Sequence, residues 1–266
     1  LAETEVGMNA NARRIWLTGA SSGIGAALAE QLLEQGHRLA LSARSLEPLQ
    51  ALAKRYPQQV LVVAGDLSDA AQVRAIGEHI AQVWGALDCA ILNAGTCEYV
   101  EVSAFEAAMV ERVMRANLLS ASYCIEAALP LLRLGNRAQL VGVGSSVTFM
   151  PLPRAEAYGA SKAAMRYLME ALRIDLHAEH IAVTLVSPGF VDTPLTQKND
   201  FPMPMRWPVE KAARYIAERL HQQPFEINFP GPFIAMLKLL GHLPKRVQVA
   251  IGARMARTEA KTKDSQ

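Results

Sequence analysis

The sequence predicts an α/β fold: a doubly wound parallel sheet of about seven strands with helices on both faces, plus a C-terminal helical extension. Three observations predict it. Short apolar runs alternate with helical patterns from residue 15 to residue 229, the rhythm of βαβ units. The first run ends in a glycine-rich turn, Thr18-Gly19-Ala20-Ser21-Ser22-Gly23-Ile24-Gly25, that leads into a helix. Tyr158 and Lys162 stand four residues apart in a helical stretch and so share one face.

Ile15-Trp16-Leu17 is the first strand and Ala26 to Gln35 the first helix, which puts Gly19, Gly23 and Gly25 in a strand-to-helix turn. Backbone without side chains can approach a pyrophosphate there, and the helix N-terminus offers free N–H groups and a positive dipole end. For any one glycine the alternative is a tight turn, and the spacing is not G-x-G-x-x-G. Leu39 to Ser42 is the second strand, ending at Ala43-Arg44. An acidic residue at this point would bond a ribose 2′-hydroxyl, whereas Arg44 suits a 2′-phosphate. NADP(H) is therefore favoured over NAD(H); an exposed Arg beginning a helix is the bland alternative.

Val60 to Val63 is the third strand, followed by Asp66-Leu67, and Ser68 is expected to cap a helix towards Val83. Leu87 to Leu92 is the fourth strand, followed by Asn93-Ala94-Gly95. Phe105 to Leu132 is helical, as one helix or two end to end, and contains Asn117. Leu140 to Val143 is the fifth strand, with Ser145 after it, and Ala155 to Glu179 is a long helix carrying Tyr158 and Lys162. Ala182 to Val186 is the sixth strand, leading to Pro188-Gly189, and Phe225 to Phe229 fits the last. Parallel sheets bind ligands beyond the carboxyl ends of their strands, where these residues fall.

The chemistry follows from charge. An ammonium beside a phenol favours the phenolate and lowers its pKa from about 10. Tyr158 then becomes an acid–base group near neutral pH. A Ser145 hydroxyl at a strand end could hold a carbonyl oxygen while Tyr158 protonates it. A Tyr/Lys pair at this spacing is often an accident of a solvated helix face; the glycine loop in the same chain gives it meaning.

At 266 residues, 51% hydrophobic and 20% charged, the chain has the composition of a globular domain. A net charge of +2 argues against nucleic acid as a partner. Cys89, Cys97 and Cys124 lack metal-ligand spacing, so no metal is expected and a reducing, cytoplasmic location fits best. Residues 1–12 read as an N-terminal extension, with Met8 as a natural start.

Over roughly residues 13 to 229 the chain resembles the classical short-chain dehydrogenases/reductases, whose catalytic domain is of Rossmann type. Thr18 to Gly25 fits the family's T-G-x-x-x-G-x-G loop, Asn93 to Gly95 its N-A-G turn and Pro188-Gly189 its P-G motif. Asn117, Ser145, Tyr158 and Lys162 match its catalytic tetrad. The resemblance implies an enzyme that interconverts a small-molecule carbonyl and a secondary alcohol. Tyr158 would be the general acid and Ser145 would polarise the substrate oxygen. Lys162 would lower the tyrosine pKa and bind the nicotinamide ribose, and Asn117 would hold a relay water. The cofactor would lie on Gly19, Ser21, Ser22, Gly23, Ile24 and Gly25, with Arg44 at its 2′ end. Asp66 and Leu67 would contact adenine. Asn93, Ala94, Gly95, Pro188, Gly189, Val191 and Thr193 would line the rest. Ser146 is the local alternative to Ser145, and the ungapped match from Val141 favours Ser145. Homodimers or homotetramers through the long helices are implied too. The rival readings are an NAD-dependent alcohol dehydrogenase and a non-catalytic dinucleotide-sensing or scaffold module.

Two regions depart from the motifs. Residues 190–208 carry Pro194, Pro202, Pro204 and Pro208 among Phe201, Met203, Met205 and Trp207, which excludes regular structure. They read as a substrate lid for apolar ligands, or as a surface loop whose aromatics pack down. Residues 230–266 hold seven Lys/Arg against two Asp/Glu, a net +5 that leaves −3 for the rest. A basic amphipathic extension of this kind suits a membrane surface, peripheral to the inner face, or a docking partner. Covering the pocket or packing on the protein's own flank are the alternatives.

Overall fold

In β1 (Arg14–Thr18) Ile15 and Leu17 face one side of the sheet and Trp16 the other, and all three are buried. That alternation is the period of two expected of a strand covered on both faces. The computed structural model describes residues 12–199 and 201–263; most of the N-terminal extension lies outside them. The strands β1, β2 (Arg38–Ser42), β3 (Val60–Val62), β4 (Cys89–Leu92), β5 (Gln139–Val143), β6 (Ala182–Pro188) and β7 (Glu226–Phe229) form one parallel sheet in the order β3-β2-β1-β4-β5-β6-β7. The order reverses between β1 and its two neighbours, β2 and β4, which opens a crevice at the carboxyl edge.

One face is covered by α1 (Gly23–Glu34), α2 (Leu46–Arg55) and α7 (Val209–Leu220), which bury Leu28, Leu32, Leu49 and Ile216 against Leu17, Leu39 and Ile91. The other carries α3 (Ala70–Trp84), α4 (Ala107–Met114), α5 (Ser120–Leu132) and α6 (Glu156–Asp175). There Ile80, Cys124 and Met169 pack on Trp16, Ala90 and Leu140. The helical run around Asn117 is two helices joined by a π-helical turn, Arg115–Leu119. At the amino edge, Arg14 grips Asp88 through its main-chain N–H and two guanidinium nitrogens, the shortest contact being 2.8 Å.

Some boundaries differ from expectation. The cap of α3 is Asp69, not Ser68; the Asp69 carboxylate accepts from the N–H groups of Ala71 and Gln72. Ser68 instead donates its N–H and hydroxyl to Asp66. α1 starts at Gly23, three residues earlier than the apolar pattern suggested, because the small residues before Ala26 already wind as helix. The extension beyond β7 folds into α8 (Gly231–Gly241) and α9 (Lys245–Lys263). α8 packs on the protein's own flank: Phe233 and Leu237 are buried with Met150, beside Phe149, Phe190 and Ile251. Buried Gln248 fixes the α8–α9 corner by donating to the carbonyls of Gly241 and Leu243.

Candidate active site

The glycine turn and the N-A-G turn meet at the switch point. Gly19 has φ +67°, and a Cβ there would lie 2.8 Å from Ala94 Cα, so both conformation and space require glycine. Gly25 is equally constrained, since its Cβ would fall on the Gly19 carbonyl oxygen. Thr18 ties the two turns together: its hydroxyl accepts from the N–H groups of Asn93 and Ala94 at 2.9 and 3.1 Å. The Asn93 amide donates back to the carbonyls of Thr18 and Gly19.

A cavity of about 630 Å³ runs from this turn to Tyr158 and Lys162. Gly19, Ser21, Ser22, Gly23 and Ile24 form its floor, and Arg44, Asp66 and Leu67 stand at one end. Asn93, Ala94, Gly95, Pro188 and Thr193 line the middle. Three expected residues sit behind the wall instead. Gly25 packs on Gly19, Val191 is in the core opposite Trp207, and Gly189 abuts Phe233 and Pro230. Sequence reasoning missed Thr96, Gly144, Arg112 and Arg115, which also line the cavity. No motif marks them; they arrive with the chain that follows the motifs.

The cavity is built to take an anionic ligand at the α1 terminus. Ser22, the residue before the helix, makes no side-chain cap over the first turn and lines the cavity together with Gly23 and Ile24. Ala43 leaves no carboxylate at the end of β2, and exposed Arg44 follows it. Asp66 is held below the usual carboxylate range, first by the Ser68 N–H, then by its hydroxyl, with nearby Arg44 adding to the effect. A dinucleotide fits these residues.

Tyr158 and Lys162 line the other end, and Ser145 stands next to lining residue Gly144, outside the lining itself. Ser145 follows β5, and its oxygen accepts from the Val147 N–H at 3.2 Å. The Ser145 hydroxyl also bonds the Tyr158 oxygen. Burial nevertheless pushes the phenol up to about 12, the Ser145 bond pulling it only part of the way back. Burial likewise pushes Lys162 down to about 8. Its ammonium donates to the Val143 carbonyl at 2.8 Å and lies 5.9 Å from the Tyr158 ring centroid. The expected lowering of the phenol by Lys162 is not seen in this arrangement: burial raises the phenol, and Ser145 is the group that draws it down. Asn117 is buried in the π-turn, where its oxygen accepts from Thr96 N–H at 2.7 Å. Its amide donates to the Thr96 carbonyl and to the Ser161 hydroxyl. A π-turn at such a position is a frequent mark of a functional site.

Comparison with known proteins gives the same picture. Residues 13–202 match the family model described as short chain dehydrogenase. A Myxococcus xanthus protein named an uncharacterized oxidoreductase is 31% identical over 246 residues, covering 91% of this chain and 97% of its own length. A Pseudomonas aeruginosa protein, named a rhamnolipids biosynthesis 3-oxoacyl-acyl-carrier-protein reductase, is 33% identical over 188 residues, covering 68% of this chain and 73% of that one. Among solved structures, the Pseudomonas aeruginosa RhlG/NADP active-site complex superimposes with a TM-score of 0.75 at 28% identity, covering 85% of this chain and 98% of its own.

Proposed function

The chain belongs to the short chain dehydrogenase family and is an oxidoreductase; on that premise we propose that it reduces a carbonyl to a secondary alcohol with NADP(H), Tyr158 giving the proton. The observation that carries this reading is Tyr158 at the cavity's end, with the Ser145 side chain beside its oxygen and the Lys162 ammonium buried behind. When bound, the nicotinamide supplies the hydride.

The chain's own residues do the rest. With its pKa pushed up to about 12, Tyr158 keeps its proton at neutral pH and can act as the donor. Ser145, rather than buried Ser146, offers the hydroxyl that polarises the substrate oxygen. Lys162 is the group for the cofactor ribose, and its charge would stabilise the phenolate left once the proton has gone. Both amide hydrogens of Asn117 are committed to Thr96 and Ser161. A relay water at Asn117 is therefore held by the main-chain carbonyl. Arg44 at the cavity end supports NADP(H), as does the NADP in the similar Pseudomonas complex.

The substrate we assign is apolar or lipid-like. Residues 190–208 act as its lid, with Phe190, Phe201 and Met203 half-buried near Met150 and Phe233. The reductase named for 3-oxoacyl groups is consistent with that class. NADPH consumption across small ketones, quinones, long-chain ketones and ketoacyl thioesters tests it. Turnover concentrated on long apolar carbonyls is expected; tight NADPH binding with no turnover on any would overturn the reading.

Exposed Tyr167 and Ile174 on α6 support self-association through the long helices. No described helix is long and apolar enough to cross a membrane. Surface contact is carried by Leu239, Val247 and Val249, exposed beside Lys245 and Arg246. Co-sedimentation with anionic vesicles, with and without residues 230–266, decides it; a full chain left in solution rejects it.

A further inference from the structure

The loop that follows the N-A-G turn and residues 190–208 meet at one point. Thr96 is fixed by Asn117 at both its N–H and its carbonyl, and the Val100 N–H donates to the Arg154 carbonyl at 2.9 Å. Val100 itself is buried with Val113 and Ala157. Tyr99 between them is thus held by the body of the protein. Its hydroxyl donates to Asn199 Oδ1 at 2.6 Å, and the Asn199 amide donates on to Met203 Sδ at 3.3 Å. The Tyr99 ring meets Phe201 edge-on with centroids 5.5 Å apart, while the Arg154 guanidinium covers it at 5.4 Å.

At the roots of 190–208, Phe190 packs on Phe233 and Trp207 stacks on Phe229, and the two ends are tied to each other. The Trp207 N–H donates to the Phe190 carbonyl, and the Asp192 N–H to that of Trp207. Tyr158 is also near enough to Tyr99 to disfavour the ionisation of the Tyr99 phenol. Thr96 and Glu98 before Tyr99, and Pro194 and Leu195 before Asn199, line the cavity that ends at Tyr158, so the joint between Tyr99 and Asn199 stands beside it.

We propose that Tyr99 is a positioning residue, a latch whose hydroxyl, through Asn199, closes residues 190–208 over the carbonyl substrate and so sets its KM. This rests on the reductase reading for its kinetic consequence but not for its structural one. Closing the pocket excludes water around the reacting carbonyl and completes the apolar wall. A single neutral hydrogen bond of this kind sets a closing equilibrium of about 3- to 10-fold.

The test uses Tyr99→Phe, which keeps the ring and removes only the hydroxyl. Amide hydrogen exchange of residues 193–199 and 201–206 is expected to quicken about 3- to 10-fold. KM for the carbonyl substrate should rise by a similar factor, with kcat and NADPH affinity within twofold. Asn199→Leu should do the same, the double variant should be no worse than either, and Asn199→Asp, which keeps the acceptor, should restore the native KM. Unchanged exchange in Tyr99→Phe, or additive effects in the double variant, overturns the latch. The exchange measurement needs no turnover, so it judges the latch even if the reductase reading fails.

Discussion

Lys162 donates its ammonium to the Val143 carbonyl at 2.8 Å, from inside the protein and beside the end of β5. A charge held there by one carbonyl is poorly solvated, which is why its pKa falls to about 8 from 10.5. The energetic consequence is opposite to that of a surface lysine, and it is measurable.

Between pH 8 and 10 the unfolded chain binds more protons at Lys162 than the folded one, so the contribution of Lys162 to stability rises with pH across that window. Tyr158 acts only from about pH 10 upward, where its raised pKa makes stability fall again. The buried thiols of Cys89 and Cys124, pushed up to about 11 and about 12, pull the other way across the same window, so in thermal melts at pH 8 and 9.5 the Lys162 gain, on the order of 1 kcal/mol or roughly 2–4 °C, is read as the difference between the ligand-free protein and Lys162→Met. Lys162→Met should abolish that gain; an unchanged slope in the variant would refute the assignment.

Asp88 provides a contrasting case at the opposite edge of the sheet. Burial opposes its charge, yet the Arg14 guanidinium, with the Arg14 and Asn136 N–H groups, holds its pKa below the usual range. Its contribution is present above the carboxylate range and is lost as pH falls through its lowered pKa. Asp88→Ala strands Arg14 and should cost about 3–5 kcal/mol in a denaturant titration. A loss under 1 kcal/mol would show the pair to be incidental.

Arg44 follows Ala43 at the cavity end. If it grips a 2′-phosphate, Arg44→Ala should weaken NADPH binding by about 10- to 100-fold and NADH binding hardly at all. Calorimetry with both cofactors reads this directly. Equal losses for the two would remove the 2′-phosphate from the account.

Much of this site was legible because its parts carry steric signatures. Gly19 and Gly25 are read from the chain because only glycine fits where two backbones nearly touch, and Tyr158 and Lys162 because helical spacing fixes their shared face. The sign of the Tyr158 shift was not legible, since it depends on burial by residues far away in sequence. Nor was the Tyr99–Asn199 bond: the partners are 100 residues apart and neither belongs to a motif. The cap of α3 was misplaced by one residue because Ser68 and Asp69 are both good caps, and Asp66 claims the serine. For the extension, charge pattern alone left docking on the protein's own flank and docking elsewhere open; Phe233 against Phe190 decides where α8 goes.

The central claim is that Tyr158 delivers the proton, and Tyr158→Phe tests it most directly. Removing one hydroxyl from a half-buried ring leaves the cavity's shape intact. NADPH should bind the variant as tightly as the native protein, while carbonyl reduction falls by at least about 100-fold. Full turnover in a variant that still binds NADPH would contradict the account.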